Sequence, residues 1–401
     1  MKFNSGIVAA GAALLIQISA ALDPANCNTS DKSRTGSDFQ LTEQADNKHL
    51  EPLSKIFSAA GKTVTVADVF NDGNHKLSTN SNGYKVWPTD FNDQETTKWT
   101  PQGITSTADA LEVGTYEGKN GWLVSWYQDK PLKSVRITFV DRADDSYRHV
   151  MLVNPNANDN FTTVPIHAGG IVWYGDTLWV VDTNNGVRVF DMSQIWEVDT
   201  KGEGVGKMSG GGYSAATYKY VIPQVRYVHS VYNTYKCACT NCSRMYKWTS
   251  PFPFRHSFVS LDRTTSPDSL LIGEYTNGSE SKTPPIRFVR YALDYTTRRL
   301  KVDSNKVAKG TWARCVNIDN MQGAVSADGK YYISTSNGKT KDGDLYGWVP
   351  GDGAYNNKGF LPRGPEDLSY DKRGGGYIFS VTEHPGYRYI LGKKVSSVKF
   401  S

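Results

Sequence analysis

The stretch from Ile166 to Met192, IHAGGIVWYGDTLWVVDTNNGVRVFDM, limits what this chain can fold into more than any other. Three apolar runs, GGIVWY, TLWVVDT and VRVFDM, are separated by two tight-turn signals, Gly175-Asp176 and Asn185-Gly186. Short runs rich in β-branched and aromatic residues, joined by turns of this composition, form antiparallel hairpins, because Gly and Asn accept the positive φ that two-residue hairpin loops demand. The stretch is therefore a three-stranded meander.

The same layout recurs along the chain. One copy begins at Pro101-Gln102-Gly103-Ile104, continues through WLVSWY and Val135 to Val140, and takes His149 to Val153 as a fourth strand. Another begins at Arg255-His256-Ser257, with FVSL, LLIGEY and IRFVRYAL followed by RLKV as the fourth. The next starts at Met321-Gln322-Gly323 and runs through AVS, YYISTS and DLYGWV. The last starts at Gly364-Pro365-Glu366-Asp367 and runs through LSY, YIFSVTE and YRYIL. Between Gln102, His167, His256, Gln322 and Glu366 the offsets are 65, 89, 66 and 44 residues. Irregular repeats of short strands favour radial repetition over a sandwich, since a ring closes on itself and hides its edges. The expected fold is all-β, a β-propeller of five blades. The 89-residue interval, which holds the glycine-rich run Gly202 to Gly212, leaves six blades as the alternative, and a pair of sandwiches is the competing architecture.

In units such as HAGGIVWYGDTLWVVDTNNG and MQGAVSADGKYYISTSNG, over residues 100–395, the chain resembles the wider class of β-propeller proteins. More loosely, it resembles the secreted propellers that include sugar-cleaving enzymes, lactonase-type metal hydrolases and lectins. The resemblance implies architecture and no particular chemistry, because one fold hosts many functions. There is no WD dipeptide pattern and no G-x-S-x-G nucleophile motif.

The segments around the repeats point outside the cell. Lys2, the apolar run Ile7 to Ile16 and the small residues Ser19, Ala20 and Ala21 have the layout of a secretory signal peptide. Residues 1–21 are read as that signal, 22–62 as a polar linker or cover with a short helical patch around Leu50 to Ala60, and 63–401 as one propeller domain. The apolar run falls short of the roughly 20 residues that span a bilayer. Sequons at Asn28, Asn160, Asn241 and Asn277 fit a secreted glycoprotein. Of the five cysteines, Cys237, Cys239 and Cys242 have the spacing of a thiolate metal site, but an oxidising secretory route favours disulfides, with pairing open. From Thr63 the run TVTVADVF alternates like a strand, and Tyr84 to Trp87 is a short strand suited to an outer or closing position. With 45 basic and 40 acidic residues the charge is only +5, too balanced for a nucleic-acid partner. A monomer is expected, acting on an extracellular glycan or small molecule, or on a host or cell-surface protein.

A site follows from the geometry of a meander. If each first strand lines the axis, its start lies at one rim, and the antiparallel second strand returns to that rim. The starts supply Gln102, His167, His256, Gln322, Glu366 and Asp367; the returns supply Asp182, Glu274, Thr335, Glu383 and His384. Imidazoles, carboxylates and amides converging on one funnel suit acid–base work or a divalent metal. His167, His256, Glu366, Glu274 and Glu383 are the candidate catalytic groups, with the two histidines also candidate metal ligands. Gln102, Asp182, Gln322, Asp367 and His384 are candidate ligand contacts, with Trp348 and Tyr387 added because they lie near turns where aromatic rings meet sugar faces. Two readings stand: a secreted hydrolase or lyase acting on a glycan or small ester, and a non-catalytic lectin or interaction propeller.

Overall fold

The computed structural model describes residues 35–230, 254–278 and 286–401, with no side-chain description at 227–230. Its strands pair as antiparallel meanders, the arrangement the turn signals call for. The first runs through Thr100–Ser106, Gly121–Gln128, Ser134–Asp141 and Ser146–Ala157. The second is the Ile166 to Met192 unit: Ile171–Tyr174, Thr177–Asp182 and Gly186–Asp191, with Tyr220–Ser230 as outer strand. Phe258–Asp262, Ser269–Gly273, Arg287–Asp294 and Val307–Cys315 form the third. Met321–Ala327, Lys330–Thr335, Gly343–Trp348 and Tyr355–Leu361 form the fourth. The fifth is Pro365–Asp371, Tyr377–Thr382 and Tyr389–Lys394, completed by Lys85–Val86 from far upstream. That last pairing places the expected closing strand on the final blade.

The innermost strands touch in sequence order, and the last returns to the first, so the sheets stand around an axis. Period-2 alternation explains why these strands are apolar on both sides. Ile171 and Trp173 pack toward the first blade with Leu123 and Ile137, whereas Val172 and Tyr174 pack toward the third with Val259 and Ile272. The closing seam between the fifth and first blades is built the same way, from Phe379 and Val381 against Ile104 and Val124. All-β propeller architecture thus rests on the pairing and the inter-blade cores. The recurrent glycines at strand starts have a steric reason. A Cβ at Gly170 would stand 2.7 Å from the Phe258 Cα, and one at Gly323 2.7 Å from the Asp367 Cα, so only glycine lets neighbouring inner strands approach this closely.

Two local expectations are corrected. TVTVADVF keeps only Thr63–Val64 as strand, and Val66–Asn71 is helical. The Thr65 hydroxyl accepts the Asp68 N–H while the Asp68 carboxylate takes the Thr65 N–H, a capping box that overrides the alternation. RLKV is not the fourth strand of its blade. Arg299–Leu300 makes only a two-residue pairing, and Val307–Cys315 takes the outer place. Upstream, Gln40–Glu43 pairs with both Tyr220–Ser230 and Val307–Cys315, bridging the second and third blades, and Leu50–Ala59 is an α-helix whose Phe57 stacks on Trp196 at 4.5 Å. No helix among the described residues is long and apolar enough to cross a membrane.

Candidate functional site

At the end of the axis where the inner strands begin lies a cavity of about 200 Å³ lined by Gln102, His167, Gly169, Thr183, Ser257, Tyr275, Gln322, Glu366 and Glu383. Each wall residue is there for a topological reason. Gln102, Gln322 and Glu366 sit at the starts of their inner strands, and Glu383 follows directly on the second strand of the fifth blade, its N–H donating to the Gly364 carbonyl at 2.9 Å. Residues up to 281 positions apart in sequence therefore share one wall, as with the Gln102 Nε2 that donates to Glu383 Oε2 at 3.4 Å.

The two carboxyls differ in their surroundings. Glu366 is buried apart from the cavity, and burial, the nearby Glu383 charge and Asp367 all push its pKa well above the ordinary glutamate value. Burial also raises Glu383, but it is opposed by His384, whose Nδ1 lies 3.5 Å from Oε1, by the Gln102 amide, and by the Arg388 and Lys339 charges. Both carboxyls are held above the ordinary glutamate value, and Glu366, with no opposing group, holds its proton more strongly than Glu383. Arg388 fixes the loop behind them by donating to the carbonyls of Glu383, Asp93 and Trp99 at 2.8–2.9 Å. His167 lies with its ring 4.2 Å from that of Tyr127, and burial lowers its pKa, so it is a neutral donor or acceptor.

Of the candidates named from sequence, Gln102, His167, Gln322, Glu366 and Glu383 line this cavity together. The others do not. His256 is fully buried behind the wall; its N–H donates to the Thr183 carbonyl and its ring meets Phe254 edge-on. Glu274 accepts from Arg287 Nε at 3.0 Å and from the Arg255 N–H at 3.0 Å, an ion pair outside the cavity lining. Asp182 accepts from Asn185 and Arg188 within its own hairpin. Asp367 lies deeper on the axis, where Oδ2 accepts the N–H groups of Ile104 and Ile171, each at 3.1 Å, and so ties three blades together. His384 is tucked against Gly364, and Trp348 is fully buried in the core between the third and fourth blades. Tyr387 is exposed on the fifth blade but outside the cavity. The metal reading is corrected accordingly: His167 and His256 do not face one space, and among the described residues no three His, Cys, Asp or Glu side chains are grouped to hold an ion.

Thr183, Ser257 and Tyr275 were missed, and each is the residue after one that was named. Strand side chains alternate between faces, so a one-residue slip in reading the rim selects Asp182, His256 and Glu274 in place of the cavity wall. Asn160 begins a short strand and uses Oδ1 to accept the Phe161 and Lys207 N–H groups, while Asn277 is half-buried. Asn28, Asn241, Cys27, Cys237, Cys239 and Cys242 lie outside the described residues, and Cys315 ends the outer strand of the third blade. A wider groove of about 650 Å³ on the outer flank, beside Phe57 and Tyr213, holds the charged pair Lys62–Glu197, already satisfied at 2.5 Å.

No family model and no curated protein matches this chain. Among solved structures it is similar to a gluconolactonase from Xanthomonas campestris at 10% identity and TM-score 0.33, covering 83% of this chain and 84% of that one. It is also similar to a thermostable family-43 glycoside hydrolase at 9% and 0.37, covering 77% and 96%. A GH43_1 enzyme from Xanthomonas citri matches at 10% and 0.36, covering 74% and 88%. Overlaps this loose assign no chemistry here, and the functional reading rests on the cavity itself.

Proposed function

We propose that this protein is a secreted, glycosylated hydrolase that cleaves a glycosidic bond in the axial mouth, with Glu366 as general acid and Glu383 as the carboxylate that activates water. The observation that supports this reading is the pairing, in one small cavity, of a buried glutamate with nothing to favour its charge and a second glutamate with four groups that do. Two carboxyls whose environments push them into different protonation states are the usual means of acid–base hydrolysis near neutral pH. Glu366 gives its proton to the departing oxygen as the carbon–oxygen bond breaks. Glu383 takes a proton from the water whose oxygen bonds to the same carbon. Exchange with solvent then restores both groups. Gln102, Gln322 and the neutral His167 provide hydrogen bonds for ligand hydroxyls. The cavity is smaller than the roughly 300–1,000 Å³ typical of drug-sized ligands, which favours a single small unit.

A panel of 4-nitrophenyl glycosides, 4-nitrophenyl esters and cell-wall oligosaccharides tests the activity. Glu366→Gln is expected to lower kcat by about 10²–10⁴-fold with the fold intact. Hydrolysis of esters alone shifts the substrate to a small ester. Binding with no turnover by the wild type defeats the hydrolase and leaves a non-catalytic propeller that recognises a glycan or a protein. Secretion and glycosylation are checked by the intact mass of the protein expressed in a eukaryotic host, which should begin near residue 21 or 22 and fall after glycan removal.

A further inference from the structure

Arg363 and Lys339 are two cations near the fifth-blade loop that make no ion pair among the described residues. Arg363 stands two residues before the inner strand of the fifth blade, and its guanidinium lies 4.1 Å from the centre of the Tyr387 ring. Among the described residues it makes no ion pair. Glu95, whose carboxylate approaches Gly386 in the same loop, does not pair with it. Tyr387 is 42% exposed and follows Glu383 by four residues, in a turn closed by the Tyr387 N–H donating to the His384 carbonyl at 2.9 Å. From the fourth blade, Lys339 lies exposed on the turn after Lys330–Thr335, close enough for its charge to act on Glu383, and it too has no ion-pair partner among the described residues.

From this arrangement we propose an acidic-sugar subsite at the rim, in which Arg363 and Lys339 hold the carboxylate of a uronic acid unit and the Tyr387 ring supports its apolar face. The inference deepens the glycan reading of the mouth and rests on it. A guanidinium already laid flat on an aromatic ring keeps its N–H edge free for a bidentate carboxylate and loses little entropy on binding. A ring exposed beside a polar group is the surface that sugar faces stack on. An acidic unit would otherwise be repelled by the Glu383 charge, so the two rim cations also make approach to an acidic mouth favourable. The subsite selects the substrate and does not enter the chemistry.

Calorimetric titration of the full-length protein with digalacturonic acid and with its carboxyl-reduced counterpart tests the subsite. The acidic ligand is expected to bind roughly tenfold tighter, the range of a hydrogen bond to a charged group. Arg363→Gln should remove most of that preference, Lys339→Gln a smaller part, and 0.5 M salt should shrink it in the wild type. Tyr387→Ala should weaken both ligands. If the two ligands bind the wild type equally, the subsite is wrong and the mouth reading stands. If the preference survives Arg363→Gln and Lys339→Gln together, the subsite is likewise overturned. If neither ligand binds the wild type, while neutral oligosaccharides are still cleaved, the subsite alone fails; if nothing binds or is cleaved, the glycan reading fails with it.

Discussion

The axis and the first blade bury the same kinds of side chain and treat them in opposite ways. Against the first blade, Asp93 from the segment preceding it accepts from Arg136 at 2.6 Å, from the Tyr147 hydroxyl at 2.6 Å and faces His149 Nε2 at 2.9 Å. The other ring nitrogen of His149 meets the Thr138 hydroxyl at 2.7 Å, and Arg136 is sandwiched between Trp99 and Trp126. Burial disfavours charge on Asp93, yet His149, Arg136 and the hydrogen bonds hold its carboxyl well below the usual range. Along the axis, Glu366, Asp367 and Asp109 receive no such cation contact at hydrogen-bond range, and burial drives all three up. A Thr–His–Asp chain therefore looks catalytic in composition but is saturated and sealed, whereas the under-compensated carboxyl at Glu366 opens on a cavity. What separates framework from function is how far the hydrogen-bonding capacity of a buried group is already used.

The first way to break this comparison is to remove the cation from the saturated network. Arg136→Ala leaves Asp93 buried without its main permanent counter-charge and exposes the faces of Trp99 and Trp126 to a void. Unpairing a buried ion pair typically costs about 3–5 kcal/mol. Urea denaturation should show a loss of that size, while turnover per folded molecule changes little. Arg388 touches both regions, holding Asp93 and Glu383 through their carbonyls. If Arg136→Ala were stable but inactive, the network would belong to the site and the distinction would collapse.

How much of this was readable beforehand is clearest residue by residue. The meanders were legible because the turns are written in glycine, asparagine and aspartate and the strands are apolar on both faces. Gln102, His167, Gln322, Glu366 and Glu383 were legible because the starts and returns of strands must share a rim. The rim register was not. Ser257 and Thr183 look unremarkable beside His256 and Asp182, and nothing local tells which of two adjacent residues turns inward when a strand starts irregularly, as Ala168 shows with its φ of 55°. Trp348 was misplaced because proximity to a turn does not reveal that the preceding blade covers it. The Asp93 network was invisible, since its members lie 54 and 56 residues apart with no repeat to align them.

A second test uses pH, because the two regions should respond with opposite slopes. Burial, then the Arg136 charge, lowers His149 to about 4 from an ordinary 6.5, so the unfolded chain takes up a proton that the folded one refuses. That term is lost as pH falls from about 6.5 toward 4. Asp109 runs the other way. Burial raises it to about 6 despite hydrogen bonds from Ser369 and Thr105, each at 2.7 Å, so the folded state holds the extra proton. Its contribution is present below the unfolded value of 3.8 and lost as pH rises through about 6. Asp109→Asn cannot ionise, so its stability relative to wild type should improve between pH 4.5 and pH 8, by about 2 kcal/mol at roughly 1.4 kcal/mol per pKa unit. A difference that stays flat with pH would mean that Asp109 is not held protonated and that the axis is compensated after all.

The smallest effects come from the two histidines, and they sharpen the comparison most because the residue type is the same. His167 lines the cavity; His256 stands behind it, with both ring nitrogens buried and unbonded and its pKa lowered by burial to about 3. A neutral imidazole with no hydrogen bonds behaves as an apolar filler whose unmet polar atoms weaken the core, so a branched apolar side chain of similar size should replace it at a cost under about 1.5 kcal/mol, or with a slight gain. His256→Leu should therefore leave ligand affinity unchanged. His167→Ala should cost little stability and weaken binding of a cleaved oligosaccharide by roughly tenfold, the loss of one or two hydrogen bonds. Melting temperature and affinity measured on both variants decide the matter. If His256→Leu lost affinity as His167→Ala does, its unbonded nitrogens would be reaching the ligand, and the wall that separates the two residues would have to open when the mouth is filled.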